Sequence, residues 1–293
     1  MDIFQTFENP RRFTPEEIQK CIDSKDFRKI FFEYYIFVLQ IITVFVSIKS
    51  DSPGINNSSS IFDWGVLIGL LNRIRKTMYA QLPLMTEYKH NEVIIMLDRA
   101  ILESCLNMLW IIDHHAEEGS KKFIANAIKK DLDLDELVHK TAISQDRELY
   151  EVETRLITQR NLRIGESGLN ESEIRELAKQ YPDIKKLFKE NGDNGSMYAF
   201  GYTMQSHVVH GDWIGLRYTA YLTRETDSYE PILDDAEFDP VQLYNNIIFI
   251  FDVLNKFGYF MLNVDLHTFF EKEKVYIEYF YNKHNELNEI KIY

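Results

Sequence analysis

The chain has 293 residues, 45% of them hydrophobic, and a formal net charge of −13 at pH 7. A chain of this length can bury a core without disulfides or a structural metal, and this apolar content excludes a disordered protein. The acidic balance argues against broad, nonspecific binding to nucleic acid. Its 12 Gly and 7 Pro are few for this length, which favours long helices over many short strands.

The cysteines and the first residues of the chain indicate the compartment. Cys21 and Cys105 lie inside apolar helical patterns and form no CxxC pair, which is typical of reduced core residues. Residues 1–10 contain no apolar segment of the kind found in a secretory signal. We therefore expect a cytoplasmic protein.

The N-terminal part is predicted to form two helices and a loop. Thr14 supplies an N-cap before Pro15, so a short helix begins there. A long helix over about 26–50 contains an apolar stretch, 30–48, that has the length of a bilayer span. No second span of similar quality follows, so we interpret the stretch as a buried central helix and do not expect a membrane protein. Turn-forming residues over 51–60 predict a loop.

Two further helices precede the middle of the chain. The first covers about 61–81 and is interrupted by Pro83, and the second covers about 90–115 and is apolar on nearly all sides. The second helix carries a narrow polar stripe of three residues spaced four apart: Arg99, Glu103 and Asn107. The stripe is either an ion pair that fixes the helix or a line facing a cleft, where Arg99 would bind an anion such as phosphate.

Residues 121–190 are densely charged but locally neutral, with 14 Lys or Arg and an equal number of Asp or Glu. We predict that residues 116–192 form a helical insertion or subdomain between 1–115 and 193–293. Its helices are predicted at about 120–143, 145–164, 171–180 and 183–190. Three arginines lie on one broad side of the second of these helices: Arg155, Arg160 and Arg163. They form either a solvated charged face or a contact for RNA or phosphate.

The most informative helix follows a loop at 191–195 and ends at His210, with Gly211 at the position that favours a left-handed residue. Four side chains spaced four apart lie along one side of it: Tyr198, Tyr202, Ser206 and His210. His207 lies about a quarter-turn round the axis. Either His210 caps the helix and the tyrosines are core residues, or His210 is a general acid or base whose tautomer is set by Ser206, Tyr202 or Asp212.

The remainder is predicted as a loop over 223–240 and two helices over about 239–264 and 266–287. The chain has no Walker A motif, dinucleotide-binding loop, GxSxG elbow or HExxH motif, and its Cys and His lack zinc spacing. His114 and His115 are explained better by a helix C-terminus than by a metal. We expect an all-α helical bundle with a charged helical insertion and no metal or cofactor.

Two of these motifs together resemble a known group of proteins. Arg99-x3-Glu103 in an apolar helix is followed much later by Tyr202-x3-Ser206-x3-His210-Gly. This order is similar to that of a widespread bacterial family of helical proteins of unknown function, which resembles the HEPN superfamily (higher eukaryotes and prokaryotes nucleotide-binding). The resemblance covers about 61–221, with the charged insertion in between, and implies a HEPN-like bundle.

Many HEPN proteins are metal-independent ribonucleases of toxin–antitoxin and phage-defence systems, and they usually act as homodimers with two facing sites. Their signature is an Arg followed, four to six residues later, by a His near a helix end. His210 matches the His, while positions 203–205 hold Thr, Met and Gln instead of the Arg. In this chain Arg99 would therefore stabilise the phosphate charge from the neighbouring helix.

The resemblance implies a metal-independent endoribonuclease of bacterial defence or stress response. The catalytic residues would be His210, Arg99, Ser206 and Glu103. The substrate-binding residues would be Tyr202, His207, Asp212, Asn107, Arg160 and Arg163. The expected partners are a second copy of the chain, RNA, and a partner protein or antitoxin. The alternative is a non-catalytic helical module that binds a partner protein or nucleotide-type ligand through the same cleft, which the acidic charge and the missing Arg favour.

Overall fold

The computed structural model describes residues 11–52, 55, 61–87, 89–193, 195, 197–219, 221–223, 229–234 and 237–288. Within these residues nearly all regular structure is helical, which confirms the all-α fold. The α-helices are α1 (Pro15–Ser24), α2 (Arg28–Ser47), α3 (Ile61–Thr86), α4 (Asn91–Asp113), α5 (Gly119–Ser144), α6 (Glu151–Ser167), α7 (Glu171–Ala178), α8 (Ile184–Glu190), α9 (Thr203–His210), α10 (Trp213–Thr219), α11 (Tyr244–Leu262) and α12 (His267–Asn288). Short helical turns of other types cover His115–Glu117, Met197–Tyr202 and Pro240–Leu243.

One small hairpin interrupts the helices. It pairs β1 (Tyr221–Thr223) antiparallel with β2 (Tyr229–Pro231). Within the loop predicted over 223–240, residues 224–228 and 235–236 lie outside the described residues, and of the loop predicted over 51–60 only 51, 52 and 55 are described.

The chain forms two compact units. Unit 1 comprises Met1–Leu109 and Asn191–Tyr293, and unit 2 comprises Trp110–Glu190. Helix α4 therefore contributes its first part to unit 1 and its last turn to unit 2.

The core of unit 1 is built around α2. Ten of its side chains are buried, and the helix packs on α3 and α11. Aromatic rings fill this contact, as where the ring centroids of Phe45 and Phe257 lie 5.9 Å apart. In the described part of the chain, one stretch within this helix, Arg28–Val46, is long and apolar enough to cross a membrane by length and composition. In unit 1 it is a core helix, which explains an apolar run of that length.

Unit 2 has a smaller core of its own. Helix α5 packs on α7 and α6, and a cluster of five buried residues joins α5 to α7: Ala125, Ile128, Leu132, Ile174 and Ala178. The first and last residues of the unit also meet, because the indole nitrogen of Trp110 donates to Glu190 Oε2 at 2.6 Å. The ring of His114 stacks on Trp110 at 4.5 Å.

Two of the predicted helix boundaries were wrong. The helix predicted to be interrupted by Pro83 runs through it to Thr86. Proline removes one hydrogen-bond donor and its ring crowds the carbonyl four residues back, and the helix tolerates both about one turn before its end. The helix predicted from residue 145 begins at Glu151, because Asp146 is left-handed at φ 46° and Glu153 accepts from the Tyr150 N–H at 2.8 Å.

Candidate functional site

The polar stripe on α4 meets the row of side chains on α9, and both lie in unit 1. Arg99 Nε donates to Glu103 Oε1 at 3.0 Å, its Nη1 to Ser206 Oγ at 3.0 Å, and its Nη2 to the Tyr202 oxygen at 2.7 Å. The Tyr202 hydroxyl in turn donates to Glu103 Oε1 at 2.8 Å. The sequence predicted the two halves of this cluster separately, and the structure joins them into one network, called here the Arg99 cluster (Arg99, Glu103, Tyr202 and Ser206).

Burial and charge both act on the Arg99 cluster. The Arg99 side chain is 15% exposed and that of Glu103 is 31% exposed, so the ion pair sits at the edge of the core. The guanidinium carbon also lies 4.5 Å from the centroid of the Tyr202 ring, a cation–π distance. Burial, followed by the hydrogen bond to Glu103, raises the pKa of Tyr202 to about 12. Tyr202 therefore remains a neutral hydrogen-bond donor at physiological pH.

A π-helical turn, Met197–Tyr202, precedes α9. The carboxylate of Asp193 accepts from the N–H groups of Met197 at 3.1 Å and Tyr198 at 2.9 Å, which fixes the start of the turn. The Thr203 hydroxyl donates to the carbonyl of Tyr198, five residues back, at 2.8 Å. Such wide turns are rare and frequent at functional sites. Here the turn brings the Tyr198 ring into a stack on Tyr202 at 5.8 Å.

His207 and Asp212 form a pair at the corner between α9 and α10. Asp212 Oδ2 lies 2.6 Å from His207 Nδ1, and its Oδ1 accepts from the N–H groups of Ile214 at 3.0 Å and Gly215 at 3.1 Å. The hydrogen bond from His207, followed by these backbone bonds, lowers the pKa of Asp212. With the proton held on Nδ1, the Nε2 atom of His207 carries the lone pair and can accept a proton.

Glycines make this corner possible. Gly211 ends α9 in the left-handed conformation at φ 57°, as the sequence predicted. A Cβ atom on Gly215 would lie 2.2 Å from the carbonyl oxygen of His207, so the first turn of α10 can approach α9 this closely only at a glycine. The backbone N–H groups of Ile214 and Gly215 in α10 thereby hold the Asp212 carboxylate against His207.

His210 occupies a different environment from the one predicted. It lies exposed at the end of α9, and none of the described residues forms a hydrogen bond with its side chain. The expected contact with Ser206 is absent among these residues, and Ser206 Oγ accepts from Arg99 instead. The Asp212 carboxylate, one of the groups expected to orient His210, orients His207 instead.

Aromatic residues lie open beside the corner. Trp213, the first residue of α10, is 60% exposed, and its ring lies 6.0 Å from the Tyr229 ring in an edge-to-face arrangement. Such a surface offers π-faces on which planar groups can stack. The sequence pointed to the end of α9 as a site but did not single out either aromatic ring.

The other predicted site residues are placed as follows. Asn107 lies half-buried on α4, one turn beyond Glu103. Arg160 and Arg163 belong to unit 2, where each pairs with a carboxylate: Arg160 with Asp135 at 3.0 Å and Arg163 with Asp131 at 2.9 Å. Arg160 is only 11% exposed, which leaves little of it for a phosphate.

Sequence reasoning missed a buried carboxyl group next to Arg99. Asp98 points into the core of unit 1, where its Oδ1 accepts from Gln81 Nε2 at 2.6 Å and Asn246 Nδ2 at 2.8 Å. The Tyr35 hydroxyl donates to the side-chain oxygen of Gln81 and completes a network across α2, α3, α4 and α11. Burial raises the pKa of Asp98 to about 7. The signal available in the sequence was the presence of three amide or acid side chains on apolar helix faces: Gln81, Asp98 and Asn246.

Metal and family comparisons complete the description. Among the described residues no group of three or more His, Cys, Asp or Glu is arranged to hold a metal ion. No match was found among curated proteins or among solved structures. Residues 64–229 match a protein family described as a family of unknown function (DUF5677). These residues include α4, the Arg99 cluster, the His207–Asp212 corner and all of unit 2. The match spans more than half of the chain, so the protein belongs to this family of unknown function.

Proposed function

We propose that this protein is a HEPN-like, metal-independent endoribonuclease of bacterial defence or stress response. The observation that carries the proposal is the pair of His207 Nδ1 and Asp212 Oδ2 at 2.6 Å. A carboxylate that fixes one imidazole nitrogen leaves the other nitrogen as a general base, and this chemistry needs no metal. The Arg99 cluster, whose Ser206 lies on the same helix as His207, supplies a cation for a phosphate from Arg99 of α4.

The proposed reaction is transesterification at a phosphodiester bond of RNA. His207 Nε2 takes the proton of a ribose 2′-hydroxyl, and the 2′ oxygen attacks phosphorus. The bond from phosphorus to the 5′ oxygen breaks, and that oxygen takes up the proton released by the imidazolium. The products are a 2′,3′-cyclic phosphate and a 5′-hydroxyl. In this account the base is His207 rather than His210, because the Asp212 carboxylate orients His207.

Arg99 and Ser206 would act on the phosphate. Ser206 Oγ accepts from Arg99, so its own hydroxyl proton is directed away from the guanidinium. A phosphoryl oxygen placed there would receive a hydrogen bond from Ser206 and charge stabilisation from Arg99. The exposed Trp213 beside the corner supports an RNA substrate, because unpaired bases stack on aromatic side chains.

The test is cleavage of single-stranded RNA by the purified protein in the presence of a chelator. We expect products ending in a 2′,3′-cyclic phosphate, and we expect His207→Asn to slow cleavage by about 10²–10⁴-fold, the usual contribution of a general base. The matched control is His139→Asn, because His139 also has an aspartate partner, Asp135 at 3.0 Å, but lies in unit 2. Equal rates in the wild type and His207→Asn would contradict the proposal, as would an inactive wild type.

A second candidate function is a non-catalytic module that binds a partner protein or a nucleotide-type ligand. It is favoured by the state of Arg99, whose three nitrogens all bond within the chain and whose charge is balanced by Glu103. The two functions differ in a growth assay. A ribonuclease should slow growth of a bacterial host when expressed, and His207→Asn should relieve the effect. Growth that is unaffected, together with tight binding of a nucleotide lost in Arg99→Met, would favour the module.

A further inference from the structure

Within unit 2, the α5–α6 pair packs on α7 through one side of α5 and leaves the opposite side uncovered by the described residues of the unit. The side of α5 that carries Ala125 and Ile128 packs on α7, within the core of the unit. Leu134 and Leu137 each follow one of these residues by nine positions, about two and a half helical turns, and so lie on the opposite side of α5. Helix α6 has one fully buried residue among those described, Ser167.

Four apolar side chains form a stripe on the uncovered side. Leu137 and Val152 are each 60% exposed, and Leu134 and Leu156 are each 44% exposed. Leu134 and Leu156 line the same groove between α5 and α6, so the two helices present one continuous surface. Contiguous exposed apolar residues bounded by charges are typical of interaction sites. This surface is called the stripe below (Leu134, Leu137, Val152 and Leu156).

Charge indicates what the stripe fits. The α5–α6 pair, residues 119–167, contains nine Lys or Arg and nine Asp or Glu, whereas the whole chain carries −13. Two copies of the chain repel each other over most of their surface, and they approach at least cost where each is neutral. A second copy therefore meets less charge repulsion on this pair of helices than the charge of the whole chain would give.

Two exposed charges of opposite sign flank the stripe. Lys130 lies near the middle of α5, one turn before Leu134 and on the side that carries the stripe, and Glu148 lies in the turn between α5 and α6. A two-fold axis that crosses the stripe at right angles to the helices makes the two hairpins antiparallel and sets Lys130 of each copy towards Glu148 of the other. Opposite charges at both ends would fix the orientation of the two copies.

The groove beneath the stripe contains an unsatisfied donor. Arg160 Nη2 pairs with Asp135 at 3.0 Å, yet the buried Nε of Arg160 has no hydrogen-bond partner among the described residues. Buried polar groups nearly always have a partner, and Asp135 Oδ1 in the same groove is also without a hydrogen bond among the described residues. A second hairpin laid over the groove can bring an acceptor to Arg160 and a donor to Asp135.

We propose that the protein forms a two-fold symmetric dimer in which the stripes of two copies pack against each other. The partner is a second copy of this chain, and the contact is a four-helix arrangement of two α5–α6 pairs. It buries four apolar side chains from each copy and does not involve the Arg99 cluster or the His207–Asp212 corner. The dimer is independent of the proposed ribonuclease activity.

The test is the mass of the full chain in solution, measured by light scattering and by sedimentation over a range of concentrations. We expect the wild type to have twice the mass of one chain. Leu137→Glu and Val152→Glu should each give a monomer with unchanged helix content by circular dichroism. The matched control is Ile143→Glu, which adds the same charge to the same helix at a side chain that is 78% exposed but lies outside the stripe; it should remain a dimer.

Charge exchange tests the orientation. Lys130→Glu and Glu148→Lys should each weaken the dimer several-fold, and the double variant should restore it. A monomeric wild type would overturn the proposal, including one that uses the stripe to bind vesicles or another protein. A dimer that survives both Leu137→Glu and Val152→Glu would also overturn it. Failure of the double exchange to restore association would overturn the antiparallel arrangement.

Discussion

Asp98 and Arg99 are neighbours in sequence on α4, and they face opposite environments. Asp98 is buried, accepts hydrogen bonds from two neutral amides, and lies in a network that crosses four helices of unit 1. Arg99 lies at the edge of the core, beside the buried phenol of Tyr202 and beside a carboxylate and a hydroxyl that remain partly accessible. The first network joins helices, whereas the second gathers the side-chain types that bind and process anions.

Polar groups in these two environments are expected to contribute differently to stability and to function. A buried carboxyl group with neutral partners is costly to disturb, because its partners have no water to turn to. An ion pair at the edge of the core, such as that of Arg99 and Glu103, contributes less to stability, because water reaches part of it and replaces lost contacts. Changes at Asp98 and its partners should therefore affect unfolding, and changes in the Arg99 cluster should affect function.

The largest effect on stability is expected for Gln81→Leu. This change removes the acceptor of the Tyr35 hydroxyl and one of the two donors to Asp98. At pH 8 we expect a loss of about 3–5 kcal/mol in the free energy of unfolding, as when one partner of a buried charge is removed. Urea denaturation followed by circular dichroism measures it. The control is Asn72→Leu on the same helix, outside the network, which should lower the free energy of unfolding much less. Equal losses in the two variants would show that the network does not contribute more to stability than another polar side chain of this helix.

The free energy of unfolding should also depend on pH through the protonation of Asp98. The pKa of Asp98 is raised to about 7 in the folded protein, against about 3.9 in an unfolded chain. The folded state therefore binds the proton more tightly, and this contribution is present below about pH 4 and lost as the pH rises to about 7. At about 1.4 kcal/mol per pKa unit, the loss reaches at most about 4 kcal/mol.

The measurement is the free energy of unfolding of the wild type minus that of Asp98→Asn from pH 4 to pH 8. Subtraction removes the opposing effect of carboxylates whose pKa values are lowered, such as Glu153, at about 2. The difference should fall steadily with pH. A flat difference would mean that Asp98 titrates as an ordinary carboxyl group.

The smallest effect on stability is expected for Arg99→Met, which keeps the length of the side chain and removes its charge. Because the ion pair with Glu103 is partly exposed, we expect a loss of at most about 1 kcal/mol in the free energy of unfolding. RNA cleavage should nevertheless fall by about 10²-fold or more, as when one preorganised donor to a transition state is removed. A large loss of stability with unchanged activity would reverse the roles assigned to the two sides of α4.

The sequence predicted the helices and many of the site residues, but only part of their arrangement. Spacing along one helix places Arg99 near Glu103, and Tyr202 near Ser206, because helical periodicity is local. The distance between the two helices depends on packing that spans more than ninety residues of chain, and no local rule supplies it. The resemblance predicted that Arg99 reaches the cleft of the second helix, and the structure shows that the residue it contacts there is Ser206.

The pairing of His207 with Asp212 shows a second limit. Both residues were predicted to belong to the site, yet Asp212 was considered as a partner of His210. The chain reverses at Gly211, and the close approach permitted by Gly215 returns the carboxylate to His207. Asp98 was missed for a related reason, since a lone acid on an apolar helix gives no sign that amides from α3 and α11 converge on it.

The histidine that a carboxylate orients in this site is His207. The most direct measurement compares RNA cleavage by His207→Asn and by His210→Asn, with chelator present and with the same fold verified by circular dichroism. We expect His207→Asn to lose activity and His210→Asn to retain most of it. The reason is that the Asp212 carboxylate orients His207, whereas no described residue forms a hydrogen bond with the His210 side chain. Loss of activity in His210→Asn with full activity in His207→Asn would contradict this expectation.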